Sequence, residues 1–170
     1  ESGYPRWEAL YRHLHAHPEL SGCEQATAER LARELTLAGC QVTSRIGGHG
    51  IAGILKNGTG PTILLRADMD ALPMTEQTGL PYASAVRAKD HAGNEVGVMH
   101  ACGHDLHMTI LAGAAQVLAR LPNLWHGTLF CIGQPSEEKM NGAQAMVADG
   151  LLARFPRPDF GLALHIAPDL

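Results

Sequence analysis

The chain contains 170 residues, of which 45% are hydrophobic, so it has the size of one domain and enough apolar side chains for its own core. Its 13 basic and 17 acidic residues are well mixed and give a formal net charge of −4, which does not support nucleic acid or an anionic membrane as a partner. A small neutral or anionic molecule is the expected partner instead.

Hydrophobic spacing and turn signals predict alternating helices and strands. Apolar residues at helical spacing predict a first helix from Pro5 to about His17, and capping-box spacing at 21–24 predicts a second helix that closes near Gly39. The other predicted elements are strands at 41–46, 51–56 and 62–68, a helix at 105–121, a strand at 128–133, a helix at 142–149 and a strand at 160–166. This alternation predicts an α/β fold with a mixed or mostly parallel sheet and helices on both faces.

Cysteine usage and hydropathy indicate the cellular compartment. The four cysteines form no CxxC pair and no disulfide-framework spacing, so we expect reduced thiols in a cytoplasmic protein. No stretch approaches the roughly 18 apolar residues of a membrane span, and the first residues lack the pattern of a signal peptide.

Three of the predicted strands run into ionisable side chains at their carboxyl ends. The strand at 62–68 ends at Asp68, with Asp70 just beyond it, and the strand at 128–133 leads into Glu137 and Glu138. The last strand contains His165. Because ligands of open α/β sheets bind beyond the carboxyl ends of the strands, we expect one shared site there.

The segment 99–107 is the densest group of candidate metal ligands, with three imidazoles, a thiol and a carboxylate. Cys102 and His104 flank a glycine and can reach one metal or a close pair of metals from a loop. Thiolate plus imidazole suits Zn, and added carboxylates admit Mn, Ni or Co. Of the adjacent Glu137 and Glu138, one can bind metal while the other transfers a proton. The alternatives are a buried thiol, a core histidine and a solvated Glu-Glu pair.

For most of the remaining ionisable residues, a structural role is the expected one. Arg66 can neutralise the aspartates at 68 and 70, or these can form a solvated turn, and a lone strand histidine such as His165 is usually structural. Asp105 is explained as a cap at a helix start. The histidines at 13, 15 and 17 are predicted on a helix surface, and the roles of His100 and His107 stay open.

Five ordered motifs resemble the M20 metallopeptidase family, in particular its amidohydrolase subfamily of hippurate hydrolases, N-acyl-amino-acid amidohydrolases and auxin-conjugate hydrolases. The resemblance covers about 12–168, and its motifs lie at 14–20, 65–73, 100–107, 134–138 and 164–165. It implies a zinc-exopeptidase-like fold and metal-dependent hydrolysis of an amide bond in N-acyl amino acids or small peptide-like substrates.

The resemblance also implies roles for individual residues. The matching ligands of two divalent metal ions, Mn, Zn, Ni or Co, are Cys102, His104, Glu138 and His165. Glu137 matches the general base that acts on metal-activated water. Asp70 matches an aspartate that supports a metal ligand, and these two are the implied catalytic residues.

Two departures from the family accompany this resemblance. The connection at 85–97 is longer than in many relatives, and Asp90–Asn94 has the composition of a hairpin tip. We also expect residues 1–170 to form the N-terminal portion of the catalytic domain, without the lid domain and the C-terminal return that carries a further His ligand. Such a portion is expected to be inactive alone, and the full-length protein to form a homo-oligomer.

Two other functions are compatible with these residues. One is a non-catalytic metal-binding or assembly module with the same fold. The other is a hydrolase in which His104 or His107 activates Cys102 as a nucleophile, since a thiolate is favoured near a helix start.

Overall fold

A computed structural model describes residues 3–167, and its elements follow the predicted order. Residues 1, 2 and 168–170 lie outside the described part, and so does the end of the region of resemblance. The helices are α1 (Tyr4–Ala16), α2 (Gln25–Leu37), α3 (His104–Arg120), α4 (Gly142–Ala148) and α5 (Leu151–Arg154). The strands are β1 (Gln41–Ile46), β2 (Gly50–Asn57), β3 (Thr62–Asp68), β4 (Arg87–Lys89), β5 (Glu95–Gly97), β6 (Gly127–Gln134) and β7 (Phe160–Ala163). The last strand is shorter than predicted, and α5 was not predicted.

Five of the strands form one mixed sheet in the order β1-β2-β6-β3-β7. The pairs β1–β2 and β2–β6 are antiparallel, whereas β6–β3 and β3–β7 are parallel. The three strands expected to share a site are therefore parallel neighbours, and their carboxyl ends meet at one edge. The remaining strands, β4 and β5, form a separate hairpin with its tip at 90–94, as predicted.

Helices cover both faces of the sheet, which confirms the predicted α/β architecture. On one face α1, α2 and α3 bury a cluster with Leu129 and Cys131 of β6. On the other face α4 and α5 pack on Phe130 and Ile132 of the same strand. Successive side chains of β6 thus pack into opposite faces, which places this strand at the centre of the core. The chain leaves the sheet where β6 ends, at Gln134. By contrast, β3 is only half-buried from Thr62 to Arg66, because its neighbour β7 is an exposed edge strand.

The predicted capping box before α2 is wrong. The hydroxyl of Ser21 donates a hydrogen bond to Asp70, and Glu24 accepts one from the distant backbone N–H of Ser136. The Glu19 carboxylate instead accepts the N–H groups of Ala26 and Thr27, at 3.2 and 2.7 Å, and so caps the helix. The spacing is that of a capping box, but buried tertiary partners take both side chains. No helix within 3–167 is long and apolar enough to span a membrane.

Candidate metal centre

Ionisable side chains from four segments converge beyond the parallel strands, and His104 lies at their centre. Its imidazole belongs to three groups whose potential ligand atoms all lie within 4.8 Å of one another. The groups are Cys102–His104–His165, His104–Glu137–Glu138 and Asp68–His104–His107. The structure thus places the other three ligands implied by the resemblance, and the implied base, around the fully buried ring of His104.

The two histidines implied as ligands are oriented by backbone carbonyl groups. The Nδ1 of His104 donates a hydrogen bond to the carbonyl oxygen of Asp70 at 2.8 Å. The Nδ1 of His165 lies 2.5 Å from the carbonyl oxygen of Ile166. A hydrogen bond at one ring nitrogen fixes the tautomer and leaves the other nitrogen as the ligand atom. In both rings Nε2 is thus the nitrogen left free for a ligand bond, and that of His104 faces the carboxylates of the centre.

The acidic groups surround the Nε2 of His104. Carboxylate oxygens of Asp68, Glu138 and Glu137 lie 3.6, 3.7 and 3.8 Å from this nitrogen. The side chain of Glu138 is 20% exposed and that of Glu137 is 36% exposed, so the two carboxylates differ in their access to solvent. The more buried carboxylate is better placed to bind a metal, and the more open one to exchange protons with substrate and water.

The Asp70 carboxylate faces the backbone of the glutamate pair. It accepts the Ser21 hydroxyl at 2.6 Å and the N–H groups of Glu137 and Glu138 at 3.0 Å each. Burial raises the pKa of Asp70, but the nearby His104 and these hydrogen bonds outweigh burial and lower the pKa to about 2. Asp70 is therefore a charged anchor: its carbonyl group binds His104, and its carboxylate binds the backbone of Glu137 and Glu138.

The carboxylates of the centre raise the pKa of the neighbouring thiol and imidazole. The adjacent Glu138 carboxylate, burial, and the charges of Glu137 and Asp68 raise the pKa of the Cys102 thiol to about 11. Burial lowers the pKa of His104, but Asp70 and Asp68 outweigh it, so the pKa is raised overall. A divalent cation bound among these groups would displace both protons, because thiolate and neutral imidazole are the ligand forms.

The arrangement fits a divalent metal. Buried polar atoms normally have a hydrogen-bond partner, yet the Nε2 of His104 and one carboxylate oxygen of Glu138 have none within the described residues. These two atoms lie 3.7 Å apart. Thiolate, imidazole and carboxylate together suit Zn, Mn, Co or Ni, so the donor chemistry is that of a metal site.

His107, whose role the sequence leaves open, is connected to the centre by its contact with Asp68. The Nδ1 of His107 lies 2.7 Å from Asp68, and its Nε2 accepts the backbone N–H of Ile166 at 2.9 Å. The Asp68 carboxylate also accepts a hydrogen bond from Arg66 at 2.8 Å. His107 therefore joins the end of β3 to the segment that carries His165. The spacing of His104 and His107 on one helical face was the available signal.

One structural interpretation of a polar residue near the centre is wrong, and another is incomplete. His15 was expected on a helix surface, but it is buried between α1 and α3, with Nδ1 2.7 Å from Asp105 and Nε2 3.0 Å from Glu76. Asp105 therefore does more than the predicted capping, although it also accepts the N–H of Leu106. Burial lowers the pKa of His15, but hydrogen bonds to the two carboxylates outweigh it and raise the pKa. Burial lowers the pKa of His100 to about 4.

Comparison with known proteins gives a consistent assignment. Residues 64–170 match peptidase family M20/M25/M40. A hippurate hydrolase of Campylobacter jejuni is 41% identical over 163 residues, which cover 95% of this chain and 39% of that protein. An N-acetyl-L-cysteine deacetylase of Bacillus subtilis is 40% identical over 162 residues, covering 95% and 36% of the two chains.

A solved structure supports the same assignment at the level of the fold. A Bacillus subtilis protein described as a dinuclear metal-binding peptidase of the M20 family superposes with a TM-score of 0.84 and 35% sequence identity. The alignment covers 98% of this chain and 44% of that structure. The chain thus spans about two fifths of the length of these relatives.

Proposed function

Because the chain belongs to peptidase family M20/M25/M40, we propose that it carries the metal centre of a hydrolase that cleaves amide bonds. The observation that carries this proposal is the convergence of a thiol, two imidazoles and two carboxylates at one place, where the Nε2 of His104 has no hydrogen-bond partner within the described residues. The chain spans only part of its relatives, so the complete ligand set and the activity of the intact protein belong to the proposal.

In the proposed centre, two divalent ions, Mn, Zn, Ni or Co, are held by Cys102, His104, Glu138 and His165. The support is the chemistry of these donors, their mutual distances and the dinuclear metal-binding relative. When bound, the metal ions supply Lewis acidity toward a carbonyl group and lower the pKa of water. The ligand side chains contribute by fixing where that chemistry takes place.

Glu137 is the proposed general base. Its carboxylate is the more open of the adjacent pair, and it is held beside the centre because its own backbone N–H is bonded to Asp70. From this position it takes a proton from the attacking water and delivers it to the leaving nitrogen of the amide. Asp70 acts through this backbone bond and through the carbonyl group that orients His104.

The proposed substrates are N-acyl amino acids or small peptide-like molecules. Support comes from the hippurate hydrolase and the N-acetyl-L-cysteine deacetylase among the relatives. The proposed compartment is the cytoplasm, for which the free cysteines of the described chain are the support. A homo-oligomer of the intact protein stays a proposal.

One alternative is disfavoured by a specific observation. A cysteine nucleophile needs a thiolate near neutral pH, and the pKa of Cys102 is raised to about 11 by the carboxylates beside it. A non-catalytic metal-binding module is the second candidate, because every ligand would serve it equally well. Only the open carboxylate of Glu137 favours catalysis over binding alone.

Hydrolysis assays on the intact protein test the proposal. The protein is stripped of metal by a chelator, reloaded separately with Mn, Zn, Ni or Co, and assayed on N-acetyl amino acids, N-benzoyl amino acids and dipeptides. We expect hydrolysis only after reloading, and a loss of about 10²- to 10⁴-fold in Glu137→Gln with metal content unchanged.

A matched control is Glu95→Gln, which removes an exposed carboxylate on the hairpin and is expected to leave the rate unchanged. Hydrolysis that survives the chelator would contradict the metal-dependent reaction. Metal binding by an intact protein that hydrolyses none of these substrates would favour the non-catalytic module.

A further inference from the structure

The two glutamates of the centre lie on the same side of the chain, although they are adjacent in sequence. Successive side chains of an extended strand point to opposite faces. Here oxygens of Glu137 and Glu138 lie 3.8 and 3.7 Å from the same atom, the Nε2 of His104. The backbone must therefore leave the strand geometry of β6 immediately before this pair.

The change of direction occurs at Ser136. Its φ is +48°, in the left-handed region that residues with a side chain rarely adopt. A conformation of this kind persists only when the surrounding structure holds it, and it is found preferentially at functional sites.

Two buried carboxylates hold the three consecutive backbone N–H groups of this turn. The N–H of Ser136 donates to Glu24 at 2.7 Å. The next two, of Glu137 and Glu138, donate to Asp70 at 3.0 Å each. Asp70 therefore fixes the backbone of the pair itself, whereas Glu24 fixes the residue that turns the chain toward the centre.

Apart from the nearby Gly22, the hydrogen-bond partner of the Glu24 side chain within the described residues is Ser136. Its side chain is fully buried, and one carboxylate oxygen accepts the Gly22 N–H at 2.8 Å together with the N–H and hydroxyl of Ser136. The other oxygen has no hydrogen-bond partner within the described residues. Capping of α2, the usual reason for an acidic residue at this position, is supplied by Glu19. Burial of a carboxylate without a cationic partner is costly, and Glu24 has none among residues 3–167, so its placement against Ser136 calls for a functional reason.

We propose that Glu24 is a positioning residue of the hydrolytic site. It holds the left-handed turn at Ser136, and the turn brings the base Glu137 and the ligand Glu138 to one imidazole. This inference rests on the proposed function, because the roles of the glutamate pair come from it. The contacts of Glu24 do not depend on that function, and they can be tested separately.

Three variants of the intact protein separate positioning from general stability. Glu24→Ala removes the acceptor for Ser136, whereas Glu24→Gln keeps one carbonyl oxygen that accepts the same donors and replaces the other oxygen, which has no partner within the described residues, by an NH₂ group. Glu34→Ala is the matched control, because Glu34 is another buried carboxylate, on α2, where it pairs with Arg6 and Arg30. Each variant is compared with the parent protein by two measurements.

The first measurement is hydrogen–deuterium exchange of the segment 134–141 in metal-free protein. We expect faster exchange in Glu24→Ala, near-parent exchange in Glu24→Gln and in Glu34→Ala, and unchanged exchange in β2 in all three. The second is Co²⁺ affinity by spectroscopic titration, which we expect to fall about 10- to 100-fold in Glu24→Ala alone. Glu24→Asp, which shortens the side chain by one methylene, takes the place of Glu24→Ala if that variant does not fold.

The outcomes distinguish the inference from the proposed function. Parent-like exchange and parent-like Co²⁺ affinity in Glu24→Ala would overturn the inference while leaving the metal site intact. A parent protein that binds no Co²⁺ would overturn the proposed metal centre, and exchange of the segment 134–141 would still decide whether Glu24 holds the turn. Equal losses in Glu24→Ala and Glu34→Ala would overturn a specific positioning role.

Discussion

The charge on Asp70 is expected to stabilise the fold in a pH-dependent way, which Asp70→Asn tests. The substitution keeps the size of the side chain but replaces one acceptor oxygen by an NH₂ group that faces N–H donors. In the parent protein, hydrogen bonds and His104 outweigh burial and lower the pKa of Asp70 from its ordinary 3.8 to about 2. This difference corresponds to about 2.5 kcal/mol of folding free energy near pH 7.

The direction of the pH dependence follows from the lowered pKa. A carboxyl group with a depressed pKa in the folded state stabilises the protein above its ordinary pKa, and this stabilisation is lost as the pH falls toward 2. Linkage leaves about half of it, roughly 1.3 kcal/mol, at pH 3. Asp70→Asn should therefore be less stable than the parent by about 2.5 kcal/mol at pH 7 and by about half as much at pH 3.

Urea denaturation followed by circular dichroism, in the presence of a chelator, measures this difference at pH 7, 4 and 3. Asp159→Asn is the control, because Asp159 is an exposed carboxylate with a backbone partner, the N–H of Thr62, far from the centre. We expect a smaller loss of stability in this control. A stability gap for Asp70→Asn that is the same at pH 7 and pH 3, or no larger than that of the control, would refute the assignment of Asp70 as a charged anchor.

Three further predictions concern neighbouring groups. In metal-free protein near pH 7.5, iodoacetamide should modify the exposed Cys23 before Cys102, whose pKa is raised to about 11, as mass spectrometry of timed samples will show. His107→Ala should weaken Zn²⁺ binding about 10- to 100-fold because it releases the backbone next to His165, whereas the exposed His13→Ala should not, as judged by competition with a chromophoric chelator. The raised pKa of His15 stabilises the protein below pH 6.5, and this contribution is lost as the pH rises through the folded-state pKa. Urea titrations of the parent should therefore show a fall in stability over that interval that is absent in His15→Gln.

Local patterns were sufficient to predict the order of the elements and the edge at which the site lies. Hydrophobic periodicity located the strands that became β3 and β6, and the ionisable residues at their ends indicated the shared edge. These features are local or follow from the general geometry of α/β sheets, so one sequence can reveal them. The choice of Cys102, His104, Glu138 and His165 came from the family resemblance, and the structure brings these residues together.

The supporting residues could not be predicted, because their partners are distant in sequence. Ser21 and Glu24 have the spacing of a capping box, yet their partners are Asp70 and Ser136. His15 has the helical position of a surface residue, yet α3 packs over it with Asp105. In each case a charged or polar contact across 49 to 112 residues decides the outcome, and no local pattern reports it.

The most direct test of the metal centre is anomalous diffraction from crystals of the intact protein grown with Zn²⁺. We expect anomalous peaks about 2.0 to 2.3 Å from the sulfur of Cys102 and from nitrogen and oxygen atoms of His104, Glu138 and His165. Peaks bounded by Asp68 and His107 instead, or no peak at any of these residues, would contradict this expectation.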